Sequence, residues 1–189
     1  MNAIVDISNT ILETERLILR PWTQEDLQDF YEYASVDGVG QMAGWQPHEN
    51  IEKSQQILDS FIEGKKTFAI VVKATGKAIG SLGLENSERS VSEEWFADKY
   101  GREIGYVLSK DYWGQGLMPE AVKRVIQYAF EEQNWDFVLC GHFNENSQSR
   151  RVIEKSGFTY YKDMVFDTRL GEKKDGKLYL IKRENFLNM

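Results

Sequence analysis

The segment Tyr112-Trp113-Gly114-Gln115-Gly116-Leu117-Met118-Pro119 carries the strongest chemical signal in the chain. Two glycines one residue apart, with a proline at the start of a helix, let successive backbone N–H groups converge. Such a nest, backed by the positive end of the helix dipole, holds phosphate oxygens. A plain glycine turn is the structural alternative. No Gly-x-x-x-x-Gly-Lys-Ser/Thr run exists, which disfavours a Walker-type nucleotide site. About thirty residues on, Asn144 to Phe158 reads Asn-Glu-Asn-Ser-Gln-Ser-Arg-Arg-Val-Ile-Glu-Lys-Ser-Gly-Phe, where Asn146 can cap a short helix and Gly157 can end it. Other reactive groups are sparse. Cys140 is the single cysteine, so neither an internal disulfide nor a Cys-based zinc site can form, and nothing near it in sequence lowers its pKa. The two histidines, His48 and His142, lie far apart and give no metal-ligand spacing; no metal is expected.

These residues need elements to position them. Arg16 to Arg20 alternates as a half-buried strand does, ended by Pro21, and Thr23 with Asp26 three residues on opens a helix through about Ala34. Ile51 to Glu63 has a helical apolar stripe. Thr67 to Lys73 and Ala78 to Leu84 read as a hairpin about the turn at 74–77. Asn86 to Tyr100 reads as an irregular surface insertion anchored by Trp95 and Phe96. Glu103 to Leu108 is a strand that feeds the glycine loop, Pro119 starts a helix to about Glu132, and Asp136 to His142 is a strand parallel to the one before the loop. Phe158 to Phe166 and Lys177 to Arg183 close the fold as an antiparallel pair across a turn at Gly171 to Gly176. The fold class is α/β with a mixed sheet and helices on both faces.

A length of 189 residues fits one domain, with 41% hydrophobic and 28% charged residues excluding a disordered chain. No repeat or linker interrupts residues 1–189, and the core spans about 12–183. Against 23 basic residues stand 30 acidic ones, a net charge of −7, so general nucleic-acid binding is not expected. No apolar stretch approaches the roughly 20 residues that span a bilayer, and Met1 to Thr10 lacks a signal-peptide pattern. With its thiol-poor composition, the expectation is a cytoplasmic protein with no membrane partner.

Glu103-Ile104-Gly105-Tyr106, the Trp113-Gly114-Gln115-Gly116 loop with its Pro119-Glu120-Ala121 helix start, and Asn146-x-x-Ser149 followed by Glu154-Lys155-x-Gly157-Phe158 closely resemble the GNAT N-acetyltransferases. Thr14-Glu15-Arg16-Leu17-Ile18-Leu19-Arg20-Pro21 and Trp45-Gln46-Pro47-His48 resemble the RimJ/RimL branch, named for ribosomal-protein N-terminal acetylation. The likeness spans roughly Leu12 to Arg183. It implies the acyl-CoA N-acyltransferase fold, mostly antiparallel with two central splayed parallel strands. It further implies acetyl-CoA as co-substrate and a primary amine as acceptor, foremost a protein or peptide N-terminal α-amine, in a monomer or homodimer. The alternatives are a small-amine acceptor (amino acid, polyamine or amine antibiotic) and a non-catalytic acyl-CoA-binding module.

Carried onto single positions, the resemblance places the coenzyme A pyrophosphate on the backbone of Trp113, Gly114, Gln115, Gly116, Leu117 and Met118. It lays the pantetheine arm along Tyr106, Val107 and Leu108, where the amide of Val107 or Leu108 faces the thioester oxygen. Asn146 and Ser149 hold the pantetheine from the other wall, with Ser149 beside the departing sulfur. Glu103 is the candidate base for an ammonium whose pKa is near 10. Many members carry a tyrosine in the helix where this chain has Val152 and Ile153, so Tyr160 or Tyr161 stands as the alternative acid, Tyr161 first. Trp45 and His48 are placed in the acceptor region and His142 beside the acetyl group. Arg150 and Arg151 are candidates for the adenosine phosphates.

Overall fold

The structure is a computed structural model that describes residues 1–87 and 94–186. Its strands are β1 (Leu12–Glu13), β2 (Leu17–Pro21), β3 (Thr67–Val72), β4 (Ala78–Glu85), β5 (Gly101–Leu108), β6 (Phe137–Phe143), β7 (Thr159–Asp167) and β8 (Lys173–Lys182). They form one sheet in the order β1-β2-β3-β4-β5-β6-β8-β7. Every neighbouring pair is antiparallel except β5 and β6, which are parallel. The helices are α1 (Leu27–Ala34), α2 (Ile51–Gly64), α3 (Leu117–Gln127), α4 (Ser147–Lys155) and the short α5 (Arg183–Phe186).

Period-two alternation assigns the strands' side chains to two faces. Leu17, Leu19, Phe68, Ile70, Ile104, Val138 and Cys140 pack with Val122, Val125 and Ile126 of α3 and Ile153 of α4. On the opposite face, Ala69, Val71 and Ala78 pack with Phe30 and Tyr33 of α1 and Leu58 of α2. Full burial of a side chain such as Phe68 is worth about 2–3 kcal/mol, so each face commits its helices firmly. Helices therefore cover both faces, and β5 and β6 lie between them.

Several boundaries differ from the sequence reading for identifiable reasons. Residues 1–11 read as a tail, yet Ala3 and Ile7 are buried, tied down by N–H bonds from Ala3 to Gly101 C=O (3.1 Å) and from Ile7 to Lys65 C=O (3.0 Å). α3 begins at Leu117, two residues before Pro119, because left-handed Gly116 (φ 76°) caps it and the first-turn N–H groups need no intrahelical partner. The β7–β8 turn is shorter than expected. Thr168 Oγ1 accepts N–H bonds from Leu170 (3.3 Å) and Glu172 (3.2 Å), which reverses the chain before Gly176 and leaves that residue inside β8. Part of the expected 86–100 insertion, residues 88–93, lies outside the described residues. Its remaining anchors, Trp95 and Phe96, pack edge-on against Phe137.

Asp26 joins β2 to α1. It accepts both Arg20 guanidinium nitrogens (2.7 Å each), the Thr23 N–H (2.9 Å) and the Thr23 hydroxyl (3.1 Å) while itself only 5% exposed. Burial alone would raise its carboxyl pKa, but Arg20 and the Thr23 amide outweigh that and hold it below the usual value. A lowered folded-state pKa stabilises the fold above the unfolded carboxyl value, near 4, and that contribution is lost as pH falls through the folded value. Asp26→Asn should therefore cost about 3 kcal/mol at neutral pH in urea denaturation. The gap between variant and parent should narrow in acid.

Candidate active site

β5 and β6 pair from Gly101↔Phe137 to Ile104↔Cys140 and no further, although β5 runs to Leu108 and β6 to Phe143. β5 stays on β4 through Gly80↔Leu108, while β6 follows β8 through Phe143↔Gly176. Held by different partners, the two strands splay and open a cavity of about 520 Å³, within the size range of ligand sites. Ser109 N–H donates to Ile79 C=O (2.8 Å), which sets the antiparallel phase of β4 and β5. Val107 then turns its amide toward Ser81 on β4, and Tyr106 and Leu108 turn their main-chain groups into the gap. Of the two amides named for the thioester oxygen, the Leu108 N–H has the required direction. Trp113 Nε1 donates to Leu108 C=O (2.8 Å) and so pins the end of β5 to the glycine loop.

Gly114 and Gly116 both adopt φ 76°, the left-handed region in which a side chain is strained. Their alternation with ordinary residues gathers the amides of Gly114 to Met118 ahead of α3, whereas the Trp113 amide is used on Lys110 C=O (3.1 Å). The loop is braced from β2. Arg16 donates to Gln115 C=O (3.0 Å) and to Glu120 (2.7 Å), which also accepts the Thr14 hydroxyl and the Arg16 N–H. Arg151 and Lys155 line the cavity from α4, whereas Arg150 pairs with Glu154 (2.8 Å). Inward amides, a helix N-terminus and two cations fit a phosphorylated, extended ligand such as coenzyme A.

The opposite wall is α4. Asn146 Oδ1 caps it by accepting Ser149 N–H (3.0 Å), and Asn146 Nδ2 donates to Met42 C=O (3.1 Å). The Tyr106 hydroxyl lies within hydrogen-bonding distance of both Ser149 C=O (3.2 Å) and Ser149 Oγ (3.0 Å) and can donate its one proton to either. Burial pushes this phenol well above its ordinary pKa, so it remains a hydrogen-bond donor. Sequence reasoning assigned only the Tyr106 backbone. Its place between apolar Ile104 and Leu108 on the α3 face was the available signal, since a hydroxyl there needs a partner. Burial raises the Cys140 thiol as well, which fits an inert core residue.

On the α1–α2 face, Glu103, Gly105 and Val107 meet Val39, Met42 and Ala43 from the loop between those helices, together with Phe143 and Phe166. Glu103, Tyr106, Val107, Leu108, Trp113, Gly114, Gly116, Leu117, Met118, His142, Asn146 and Ser149 all line the one cavity. His142 is buried, and its Nδ1 donates to Phe143 C=O (2.8 Å), which leaves Nε2 facing the Tyr179 hydroxyl (3.4 Å). The side chains of Gln115, His48, Trp45 and Tyr161 do not line the cavity, nor do those of Arg150 and Tyr160. Gln115 is exposed and donates to Asp111 C=O (3.0 Å). His48 is buried against Ser54 Oγ (2.7 Å) and the Phe30 and Trp45 rings, where burial lowers its pKa. Trp45 fills the space over Gly40, where a Cβ would lie 2.3 Å from its ring. Tyr161 packs on Phe96 at 5.8 Å in a cluster with Met164, because a bulge between Tyr160 and Lys162 turns β7 there. β7 is three strands from β5, about 14 Å at strand spacing. Val39, Met42 and Ala43 had no periodic signal and were missed.

A family model described as an acetyltransferase (GNAT) domain matches residues 16–159. The uncharacterized N-acetyltransferase p20 of Bacillus licheniformis is 31% identical over 153 residues, which cover 78% of this chain and 81% of that protein. Among solved structures, a GNAT-family acetyltransferase from Bacillus anthracis superposes with TM-score 0.79 at 22% identity, covering 93% of this chain and 99% of that one. A ribosomal-protein-S5-alanine acetyltransferase from Vibrio fischeri gives 0.69 at 21% identity over 94% and 98% of the two chains. A spermidine N-acetyltransferase from Vibrio cholerae, solved with CoA and spermine, gives 0.70 at 19% identity over 93% and 100%. The chain belongs to the GNAT acetyltransferase family and is an N-acetyltransferase of that type.

Proposed function

We propose that this enzyme acetylates the N-terminal α-amine of a protein or peptide in the manner of the RimJ/RimL branch, in the cytoplasm, by direct attack in a ternary complex. The observation that carries the reading is the splayed gap, lined by the glycine loop ahead of α3 at one end and by Glu103 on the face opposite α3. The branch resemblance of residues 14–21 and 45–48 supports the α-amine, and the likeness to the Vibrio fischeri enzyme agrees with it at the level of fold.

Acetyl-CoA, when bound, supplies the acetyl group as a thioester. Gly114 to Met118 hold its phosphates through backbone amides, with Arg151 and Lys155 as counter-charges. Tyr106 and Leu108 present main-chain groups to the pantetheine as an added strand would, and the Leu108 N–H donates to the carbonyl oxygen as charge develops there. Glu103 takes the proton from the amine, directly or through one water, because only the neutral amine can form the new C–N bond. Tyr106 steers Ser149. When the phenol donates to Ser149 Oγ, the seryl hydroxyl is free to donate to the sulfur, and a thiolate of pKa near 8.5 needs no more than that.

Mass spectrometry of cellular protein N-termini, with and without the gene, tests the acceptor class. Loss of acetylation from a defined set of N-termini is the expected result. Unchanged N-termini, together with acetylation of spermidine or an amine antibiotic by the purified enzyme, would refute it.

A further inference from the structure

The acceptor end of the cavity is more specific than a site for any amine. Phe166 lies across β6 and β8 only because Gly141 and Gly176 have no side chains. A Cβ at either would come within 2.5 Å or 2.6 Å of its ring. Phe143 meets that ring edge-on at 5.8 Å. The loop that closes over them is fixed from two directions, by Asn146 Nδ2 on Met42 C=O and by Arg169 N–H on Gly44 C=O (3.0 Å). A preformed apolar wall of Phe143, Phe166, Met42 and Ala43 thus faces a single carboxylate, since among the described lining residues Glu103 is the one acid.

The charges narrow the choice. A polyamine needs a second carboxylate for its second ammonium, but Glu103 is the one acid among the described lining residues, and Glu145 beside this wall is already paired with Lys174, which lies 5.3 Å from the Phe143 ring centroid. A free amino acid needs a cation for its carboxylate, yet Lys174 is taken by Glu145, and Arg151 and Lys155 stand on α4 beyond Ser149, where Lys155 also borders Glu120 and Lys123 of α3. His142 has both ring nitrogens engaged. Resting on the α-amine reading above, we infer that the acceptor is a peptide N-terminus whose first residue carries an apolar side chain, seated against Phe166 and Phe143.

The test compares kcat/KM of the purified enzyme, with acetyl-CoA saturating, on peptide amides beginning Leu, Met, Ser or Asp, and on free leucine and spermidine. The Leu and Met peptides should exceed the Ser peptide by about tenfold or more, as apolar pockets discriminate. Phe166→Ala should erase that preference by raising KM for the Leu peptide far more than for the Ser peptide, and Phe166→Leu should retain it. Equal rates on all peptides would overturn the side-chain inference and leave the α-amine reading intact. Turnover of spermidine or free leucine with no peptide acetylated would overturn both.

Discussion

Glu103→Gln should lower kcat/KM at neutral pH by about a hundredfold or more, the span over which a positioned base contributes. The substitution keeps the side chain's shape and hydrogen-bonding length but removes its capacity to accept a proton. The acceptor's own ionisation gives the prediction its sign. At neutral pH most of an N-terminal α-amine, with its pKa near 8, is protonated, and the enzyme must remove that proton. As pH rises past the α-amine pKa, near 8, solution supplies the neutral form, and the variant should recover much of the lost rate relative to the parent. A pH–rate profile of both proteins checks this. A small, pH-independent loss would assign Glu103 a structural part, such as keeping its distance from Glu85, its cross-strand partner, which is itself ion-paired with Lys66.

Replacing Gly114 and Gly116 together by alanine should weaken acetyl-CoA binding about a hundredfold, measured by titration calorimetry. A non-glycine residue in the left-handed region costs roughly 1–2 kcal/mol, and relaxing that strain in two places turns the collected amides away from one another. Neighbouring atoms are not the cause. Around Gly114 no heavy atom lies within 4 Å of an added Cβ, and around Gly116 the nearest is Arg16 at 3.7 Å. The control is Gly76→Ala in the β3–β4 turn, with φ 71° and the same open surroundings. It should lose comparable stability and no affinity. If all three glycines behaved alike, phosphate recognition by this loop would fail as an explanation.

How far the molecule was legible depends on whether a residue's task is set by its own backbone or by distant packing. Gly116 and Asn146 act on the chain next to them, as left-handed cap and side-chain cap, and their types and spacing state this directly. The segment 103–108 reads as a strand, and a strand's period of two puts Ile104 and Leu108 on one face and Glu103 and Val107 on the other. Tyr106 was half legible, since its register was readable but the approach of Ser149 depends on how α4 lies over β5. Tyr161 was misread because a single-residue bulge, invisible in the alternation, points it at Phe96. Trp45 and His48 were plausible acceptor residues by type. They form instead the packing beneath the loop, where His48 finds Ser54 six positions on, and their irregular neighbours Met42 and Ala43 reach the cavity. The buried N-terminal residues Ala3 and Ile7 belong to the same class, with too few contacts each to leave a period.

The acidic balance of the chain also acquires a physical meaning. On the proposed function, a net charge of −7 is compatible with an anionic coenzyme, since its phosphates would meet backbone amides and the Arg151 and Lys155 side chains and the carboxylate Glu103 would stand at the amine end. The polarity of the cavity therefore matches that of the reaction.

The most direct measurement incubates the purified protein with acetyl-CoA and an N-terminal leucine peptide amide, following free thiol and acetylated peptide together. Equimolar release and acetylation are expected, dependent on the peptide's free α-amine and abolished when that amine is blocked. Tight acetyl-CoA binding with no acetyl transfer to any amine, or thiol release with no acetylated product, would contradict the proposed function.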